Sequence, residues 1–358
     1  MELFNDSPYI SYTLIAWYLE NKRDLPWRDI KDPYRIWISE IILQQTRVNQ
    51  GLSYYLRFVE RFPSVKELAK AEEDDVLKYW QGLGYYSRAR NLHKAARQVM
   101  NDFAGVFPVE HNQVLKLAGI GDYTAAAICS FAYNQPFAVV DGNVYRVLSR
   151  LFGMDTPIDT GKGKKEFAKL ADTIISPTEP GLHNQAIMEF GALQCVPVSP
   201  DCKSCPLKTI CRANELNMVA QLPVKSLKTK VIHRFFNYLF VEYQGHTFMQ
   251  KRTEKDVWQN LYEFPLIETD RLLSTKELLK DEGFKNLFIG IKEMEIQKIT
   301  RPMKHVLTHR VIFAQFVTLR VSGENESLGK LIKVPFEEID KYAVSRLMEF
   351  FLETREKI

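Results

Sequence analysis

Four of the five cysteines in this 358-residue chain lie in one short segment with the pattern Cys-x6-Cys-x2-Cys-x5-Cys. They are Cys195, Cys202, Cys205 and Cys211. Four thiolates in one compact loop suit zinc or an iron–sulfur cluster, because both take four sulfur ligands in a tetrahedral arrangement. An odd cysteine total, with no export signal recognised, argues against a disulfide framework. The segment predicts a structural metal site, with four buried free cysteines as the alternative; the thiolates alone leave zinc and iron–sulfur open.

Composition limits the class of protein. Apolar residues make up 46% of the chain and charged residues 26%, which excludes a largely disordered chain. At roughly 150 residues per domain, the length predicts two or three domains. No segment has about 18 uninterrupted apolar residues, and residues 1–14 lack an export signal, so we expect a cytoplasmic protein. The formal net charge of +4 permits a polyanionic partner without requiring one.

Residues 1 to about 225 predict a succession of helices, and the remainder predicts an α/β segment. Asp32-Pro33 marks a helix start, because Asp caps free N–H groups and Pro suits the first helical position. The polar, basic residues 222–230 predict a linker. The predicted helices are 34–46, 66–81 and 88–102, with a glycine turn at 82–87, and the predicted strands are 234–243, 246–252 and 311–321.

A glycine hairpin, Gly119-Ile120-Gly121, separates two predicted helices. Glycines let backbone N–H groups approach an anion, and a helix N-terminus adds a favourable dipole. Such a hairpin can grip a DNA phosphate without reading the sequence. An ordinary helical corner that needs glycine for its backbone angles is the alternative.

Two carboxylates stand out. Glu40 shares one face of the 34–46 helix with apolar residues, where burial would raise the pKa of its carboxyl group and keep a proton available near neutrality. An ion pair with Arg28 or Arg35 is the alternative. Asp141 ends an apolar run at a helix start, where it is either an N-cap or a carboxylate at the rim of a pocket.

Taken together, these motifs resemble the helix-hairpin-helix DNA glycosylases of the endonuclease III superfamily and, within it, the MutY family of adenine DNA glycosylases. Tyr123 stands where the bifunctional relatives carry a lysine nucleophile, and residues 258–265 resemble the Nudix-related domain of the MutY family. A Nudix box of clustered glutamates is missing, so pyrophosphohydrolase activity is not expected. The motifs that carry the resemblance are LPWR (25–28), DPYRIWISEIILQQT (32–46), GLGYYSRARNL (82–92), LAGIGDYTAAA (117–127), VVDGNVYRV (139–147) and the cysteine segment.

The resemblance implies a monofunctional glycosylase that removes adenine mispaired with 8-oxoguanine or guanine in base excision repair. Glu40 would protonate N7 of adenine, and Asp141 would stabilise the oxocarbenium-like sugar, with Tyr123 and Asn143 in the same pocket. Two alternatives remain at this stage. One is an endonuclease III-like glycosylase/lyase, and the other is a non-catalytic iron–sulfur protein that binds DNA lesions.

The resemblance also implies roles for further residues and a [4Fe–4S] cluster as the cofactor. The implied sets are the adenine pocket (Trp27, Arg28, Leu43, Gln185), the DNA wedge (Gln45, Tyr85), the phosphate hairpin (Gly119, Gly121), the cluster ligands (Cys195, Cys202, Cys205, Cys211) and the 8-oxoguanine loop (Leu307, Thr308, His309). In this loop the family commonly has Phe-Ser-His, so Leu307 lacks the aromatic ring.

The resemblance implies a multidomain fold, with a mainly α helix-hairpin-helix core that carries an iron–sulfur loop and an α/β Nudix-like C-terminal domain. We expect a six-helix barrel domain at 29–133, a cluster domain at 1–28 and 134–222, a linker at 223–230 and an 8-oxoguanine recognition domain at 231–358. The expected partner is double-stranded DNA with 8-oxoguanine:adenine mispairs. We expect no membrane association, and a monomer that associates with the nucleoid through DNA.

Overall fold

The computed structural model describes residues 7–226 and 231–355, and the chain forms two compact units. The helical unit contains the described residues of 1–70 and 91–228, and the sheet unit contains those of 71–90 and 229–358. The predicted linker lies partly outside the described residues. Its described part is attached to the helical unit, because the backbone N–H of Ser226 donates to Asp159 and that of Ile158 donates to the carbonyl of Val224.

The N-terminal two thirds of the chain are helical, as the sequence predicts. A 3-10 turn covers Lys208–Ile210. The helices formed by residues 7–70 and 91–226 pack in the helical unit, while residues 71–90 belong to the sheet unit. The helices are α1 (Ser7–Asn21), α2 (Pro33–Leu43), α3 (Val48–Arg61), α4 (Val65–Lys70), α5 (Glu73–Trp80), α6 (Ser87–Asp102), α7 (His111–Val114), α8 (Asp122–Tyr133), α9 (Gly142–Phe152), α10 (Gly161–Ile174), α11 (Pro180–Leu193) and α12 (Arg212–Glu215).

Helix α2 begins where the sequence predicts. The Asp32 side chain accepts hydrogen bonds from the backbone N–H groups of Tyr34 and Arg35, and Pro33 occupies the first position. The helix ends at Leu43, before the predicted residue 46, because the chain turns away at Gln44 and Gln45 takes a positive φ of 57°.

The single helix predicted at 66–81 is wrong, because this segment forms two helices, α4 and α5. Glu72 is extended, with φ −72° and ψ 144°, and caps the new helix. Three acidic residues follow in the first turn of α5, where negative charge is favoured by the helix dipole. Residues 72–75 therefore begin a new helix, α5, and do not continue α4. The predicted helix at 88–102 is confirmed as α6.

Packing brings three helix ends together in the helical unit. Helix α2 packs on α8, and both α8 and α9 pack on α11, which also packs on α1. Polar contacts fix the α1–α11 pair: the Tyr18 hydroxyl donates to Gln185 at 2.8 Å, and Ser11 and His183 are hydrogen-bonded at 2.8 Å. The N-termini of α8 and α9 therefore face the C-terminal half of α2.

The sheet unit contains two sheets. The strands are β1 (Ile232–Glu242), β2 (His246–Lys251), β3 (Tyr262–Glu263), β4 (Leu266–Thr269), β5 (Met294–Ile299), β6 (Met303–Val306), β7 (Arg310–Val321) and β8 (Ile332–Pro335). The first sheet has the strand order β4-β1-β7-β5, and β6 also pairs with β7. The second sheet has the order β3-β2-β8. Strands β1 and β7 run parallel to each other. Short helices complete the unit: α13 (Thr275–Leu278), α14 (Glu282–Leu287), α15 (Glu326–Gly329), a 3-10 turn (Phe336–Lys341) and α16 (Arg346–Arg355).

The sequence prediction of strands is confirmed for β1, β2 and β7. The predicted glycine turn between β1 and β2 is present, with Gly245 at φ +76°, but after one bridge the two strands enter different sheets. Aromatic side chains such as Phe236, Phe240 and Phe264 form a core with α16. Within the described ranges, no helix is long and apolar enough to cross a membrane. The exact domain bounds stay a prediction.

Candidate active site

A cavity of about 460 Å³ opens in the helical unit where α2, α8, α9 and α11 converge. Both carboxylates singled out in the sequence, Glu40 and Asp141, line it together with Tyr123 and Asn143. The remaining lining residues are Arg23, Leu25, Trp27, Arg28, Leu43, Gln44, Gln45, Thr46, Val48, Gly142, Met188, Glu189 and Ala192. The cavity is thus lined by apolar and aromatic side chains together with many polar and charged ones, and such a convergence of polar groups in a concave site is typical of a ligand site.

Glu40 lies on the buried face of α2, with only 6% of its surface exposed. The hydroxyl of Tyr123, in the first turn of α8, donates a hydrogen bond of 2.6 Å to its Oε2. Burial raises the pKa of the Glu40 carboxyl group, and this outweighs the lowering by the Tyr123 hydrogen bond and the Arg28 charge. The nearby Asp141 charge raises the same pKa further.

Asp141 is the N-cap of α9. Its Oδ1 accepts from the backbone N–H groups of Asn143 and Val144, each at 2.8 Å, and its Oδ2 accepts from Nδ2 of Asn143 at 2.9 Å. Desolvation raises the pKa of Asp141, and this outweighs the lowering by these three donors and by the Arg146 charge. The N-cap and pocket-rim interpretations are therefore both correct for this residue.

The two carboxylates have different surroundings. Glu40 is the more deeply buried, while Asp141 accepts from two backbone N–H groups and one amide, which favour its charged form. Burial raises the pKa of both groups, but Asp141 has more donors to its charged form, so Glu40 is the better placed of the two to hold a proton and Asp141 to be ionised. In glycoside hydrolysis, paired carboxylates serve as the acid and as the charge-stabilising group when their environments favour a proton on one and a negative charge on the other.

Arg28 provides positive charge beside the cavity, but its ion-pair partner is Glu189. The distance from Nη2 of Arg28 to Oε2 of Glu189 is 3.3 Å, and Arg23 binds the same carboxylate through two bonds of 2.7 Å. Arg35 pairs with Asp32 at 3.6 Å. The alternative in which Arg28 or Arg35 forms an ion pair with Glu40 is therefore not what the structure shows.

Three of the four residues predicted to form the adenine pocket, Trp27, Arg28 and Leu43, line the cavity. Gln185 is not among its lining residues, and its side chain instead accepts from Tyr18 of α1. Gln45, predicted to wedge into DNA, is exposed at the cavity edge.

Sequence reasoning missed the pair of Arg23 and Glu189. The only signal was a glutamate in the mostly apolar helix α11, the same kind of signal that identified Glu40.

The glycine hairpin precedes α8. Gly119 has φ +76°, and a Cβ there would lie 2.6 Å from Cβ of Asn91, so no other residue fits without displacement. Gly121 is the N-cap of α8, and a Cβ there would meet nothing within 4 Å. The open space beside Gly121 leaves the helix N-terminus accessible to an anion.

A hydrogen-bond chain runs along α9 from the cavity to the cysteine segment. Nη2 of Arg146 donates to Oδ1 of Asn143 at 2.9 Å, and its Nε donates to the carbonyl oxygen of Cys195 at 2.7 Å. Asn143 in turn donates to Asp141. Arg150, one turn later and 3% exposed, donates to Sγ of Cys195 at 3.4 Å.

The four clustered cysteines are free thiols, partly buried in one loop. Burial raises the pKa of Cys202 and Cys211, and that of Cys205 to about 11. Within the described part of the chain, no three His, Cys, Asp or Glu side chains lie together as a group that could hold a metal ion. The donor set nevertheless fits a thiolate-bound metal, because four unpaired thiols lie in one loop. The buried guanidinium of Arg150, on α9, contacts the sulfur of Cys195 and would offset part of their negative charge. The predicted metal site stays a prediction.

In the sheet unit, a second cavity of about 420 Å³ contains the residues predicted to read 8-oxoguanine. Tyr85, Leu307, Thr308 and His309 all line it. The Tyr85 hydroxyl and Oγ1 of Thr308 are 2.6 Å apart, so the predicted wedge residue and the predicted reading loop are in direct contact.

Comparisons with known proteins match two parts of the chain to families. Residues 38–173 match the HhH-GPD superfamily of base excision DNA repair proteins, and residues 237–354 match the NUDIX domain. The adenine DNA glycosylase of Buchnera aphidicola subsp. Schizaphis graminum is 34% identical over 84% of this chain and 85% of its own length. The chain belongs to the adenine DNA glycosylase family. The adenine DNA glycosylase of Arabidopsis thaliana is 32% identical over 91% of this chain and 60% of its own length. The human adenine DNA glycosylase is 41% identical over 57% of this chain and 39% of its own length.

Solved structures confirm the fold of this glycosylase. A thermostable thymine-DNA glycosylase matches with a TM-score of 0.55 and 30% identity, over 59% of this chain and 98% of the other. A trapped endonuclease III–DNA covalent intermediate matches with a TM-score of 0.52 and 23% identity, over 60% of this chain and 98% of the other, which shows the fold alone. The predicted helical glycosylase core and Nudix-like C-terminal domain are confirmed, and the enzyme is a DNA N-glycosylase of base excision repair that acts on adenine.

Proposed function

We propose that this adenine glycosylase removes adenine paired with 8-oxoguanine or guanine, by hydrolysis alone, with Glu40 as the general acid and Asp141 as the stabilising carboxylate. The observation that supports this most strongly is the single cavity in which a buried Glu40 and an N-capping Asp141 face the same space. Glu40 is the more deeply buried and accepts one hydrogen bond, whereas Asp141 accepts three, so protonation is favoured more at Glu40 than at Asp141.

In the proposed reaction, adenine leaves the base stack and enters the cavity, at a cost of a few kcal/mol. Glu40 gives its proton to N7 of adenine, and the bond between C1′ of the sugar and N9 of adenine breaks with its electron pair leaving on the base. Asp141 stabilises the resulting positive charge on the sugar. A water molecule adds its oxygen to C1′ and releases one proton, which leaves an abasic site.

Strand cleavage is not part of this proposal. Lyase chemistry needs an amine that forms a Schiff base with C1′ of the sugar, and a phenol cannot form one. Tyr123 instead orients Glu40 through the hydrogen bond described above.

Recognition of the mispair would involve both units. In the helical unit, Gly119 and Gly121 would bind a DNA phosphate and Gln45 would enter the duplex, while Trp27, Arg28, Leu43 and Gln185 would support the adenine pocket. In the sheet unit, Tyr85 would stack in the duplex and Thr308, with Leu307 and His309, would meet the oxidised base edge. The enzyme would act as a monomer on duplex DNA in the cytoplasm, at the nucleoid.

A [4Fe–4S] cluster is the proposed cofactor, held by Cys195, Cys202, Cys205 and Cys211. The cluster, when bound, would fix the fold of this loop through its thiolate bonds. Arg146 and Arg150 would hold the same loop against α9 through the carbonyl and sulfur atoms of Cys195.

The decisive experiment uses a duplex with adenine opposite 8-oxoguanine, labelled on the adenine strand, with each reaction divided for alkali treatment. Strand breaks only after alkali support a monofunctional glycosylase. Breaks without alkali would reveal lyase chemistry and overturn the monofunctional assignment. A duplex with adenine opposite guanine, run in parallel, tests the preference for the oxidised partner, since equal rates would contradict it.

A further inference from the structure

The turn that carries Tyr85 is held in an unfavourable backbone conformation. Gly82, Gly84 and Tyr85 have φ values of +94°, +73° and +47°. Glycine adopts such angles freely, but a bulky residue such as tyrosine is rarely found there. Tyr85 is nevertheless 47% exposed, so burial of the residue does not account for the conformation.

Two side chains hold the turn from inside the sheet unit. The indole Nε1 of Trp80 donates to the carbonyl oxygen of Gly84 at 3.1 Å. Nη2 of Arg88 donates to the carbonyl oxygens of Leu83 at 3.3 Å and Gly84 at 3.2 Å. One carbonyl group, that of Gly84, therefore accepts from both side chains directly before Tyr85.

Arg88 also lies between two aromatic rings. Its guanidinium carbon is 5.1 Å from the centre of the Trp80 ring and 5.6 Å from that of Tyr85. A planar guanidinium can stack and donate at the same time, whereas a lysine ammonium cannot reproduce both. Burial lowers the pKa of Arg88 to about 10, which leaves the side chain charged at neutral pH.

We infer that Arg88 is a positioning residue for discrimination of the base opposite adenine. It fixes Tyr85 so that the phenol hydroxyl lies 2.6 Å from Thr308, and it thereby sets the relative position of the two side chains proposed to meet that base. The inference rests on the proposed recognition role of Tyr85 and Thr308. Arg88 touches neither the adenine cavity nor its carboxylates, so its contribution concerns the choice of substrate rather than bond cleavage.

The test compares single-turnover excision, normalised to the active fraction, on duplexes with adenine opposite 8-oxoguanine and opposite guanine. Arg88→Lys keeps the positive charge that attracts DNA. A lysine, however, cannot both stack between the two rings and donate to the carbonyl oxygens of Leu83 and Gly84. We expect the preference for the 8-oxoguanine duplex to fall roughly tenfold, the size expected for one well-aligned hydrogen bond. Arg97→Lys, further along α6, is the matched control and should keep the preference.

Two further comparisons separate the possible outcomes. Trp80→Phe keeps an aromatic ring but removes the donor to Gly84, and it should reduce the preference in the same direction. Arg88→Lys combined with Tyr85→Phe should lose no more preference than Tyr85→Phe alone, because both act through the same hydroxyl. If Arg88 only stabilises the fold, Arg88→Lys will lower the active fraction, or will lower the excision rates opposite 8-oxoguanine and opposite guanine by the same factor. Either result would overturn the inference.

Failure of the underlying recognition role gives a different result. If Tyr85→Phe and Thr308→Val both keep the full preference, the proposed reading residues are wrong, and the role of Arg88 falls with them. If those two variants lose the preference and Arg88→Lys keeps it, the recognition role stands and the inference about Arg88 is overturned.

Discussion

The hydroxyl of Tyr123 donates to the carboxylate of Glu40 across 2.6 Å, and this bond joins the first turn of α8 to the buried face of α2. It joins the proposed general acid to a phenol, which cannot form the Schiff base that lyase chemistry needs. The bond lowers the pKa of Glu40 in opposition to burial, so the proton affinity of the proposed acid depends on the balance of these two effects.

Replacing Glu40 by glutamine should abolish most adenine excision while DNA binding is kept. Glutamine has the same shape but no proton to donate, and general acid catalysis contributes about 10²- to 10⁴-fold. Single-turnover rates and duplex affinity, measured on the same preparation, check this. Glu60→Gln, an exposed change on α3, is the control; a Glu40→Gln rate within a few-fold of the unmodified enzyme would rule out the acid role.

Tyr123→Phe should move the alkaline limb of the pH–rate profile to higher pH. The Tyr123 hydrogen bond lowers the pKa of Glu40, so its removal raises that pKa. Because the reaction needs protonated Glu40, activity is present below this pKa and is lost as the pH rises through it. The acidic limb, set by protonation of Asp141, should move less. A shift of the alkaline limb to lower pH would contradict the assignment.

Arg146→Gln should reduce both stability and the excision rate. Arg146 is 8% exposed and donates to Asn143, to the carbonyl oxygen of Gly191 and to that of Cys195. Each buried acceptor left without a donor costs about 1–3 kcal/mol, and Asn143 would lose its orientation toward Asp141. Thermal unfolding and single-turnover rates test this, with Arg212→Gln, a more exposed arginine, as the control. An unchanged rate in a folded variant would show that Asn143 needs no such support.

The two hairpin glycines should respond differently to alanine. Gly119→Ala forces a Cβ to 2.6 Å from Asn91 and strains a residue at φ +76°, so the hairpin must move. Gly121→Ala meets nothing within 4 Å and should leave thermal stability nearly unchanged. Any loss of duplex affinity in Gly121→Ala then reports on the approach of a phosphate. Equal losses of stability in both variants would contradict the steric argument.

Iron and acid-labile sulfide should be present in the purified protein, in a ratio that fits one [4Fe–4S] cluster. Cys202→Ser should lower both contents, whereas Cys129→Ser, at a buried cysteine in α8 and outside the cysteine segment, should keep them. Elemental analysis and visible absorbance provide the measurement. Zinc in place of iron would overturn the proposed cofactor while keeping the metal site.

Local signals in the sequence predict much of the site. The Asp32-Pro33 start fixes the register of α2, and this register decides that Glu40 faces inward. Asp141 is also predictable, because an N-cap follows from residue type and position alone. What the sequence cannot supply is the pairing of distant residues: Arg28 could pair with any nearby acid, and only packing of α11 brings Glu189 to it.

The misplaced helix at 66–81 has a similar origin. Apolar residues at 65, 68, 76 and 80 keep a helical spacing on both sides of residues 71 and 72, so periodicity alone predicts one helix. The break follows from the acidic first turn of α5 and from its packing in the sheet unit, where the Asp74 carboxylate accepts from the Tyr262 hydroxyl at 2.6 Å. Long-range partners of this kind lie almost two hundred residues away in sequence and leave no local pattern.

The assignment of residues 71–90 to the sheet unit has a consequence for shortened forms of the enzyme. Gln81 accepts from the backbone N–H of Val344, and the Tyr86 hydroxyl donates to the carbonyl oxygen of the same residue. A protein that stops at residue 226 would keep the Tyr85 turn but lose these partners. In such a fragment, residues 71–90 would lack the contacts with the sheet unit that hold them in the full chain.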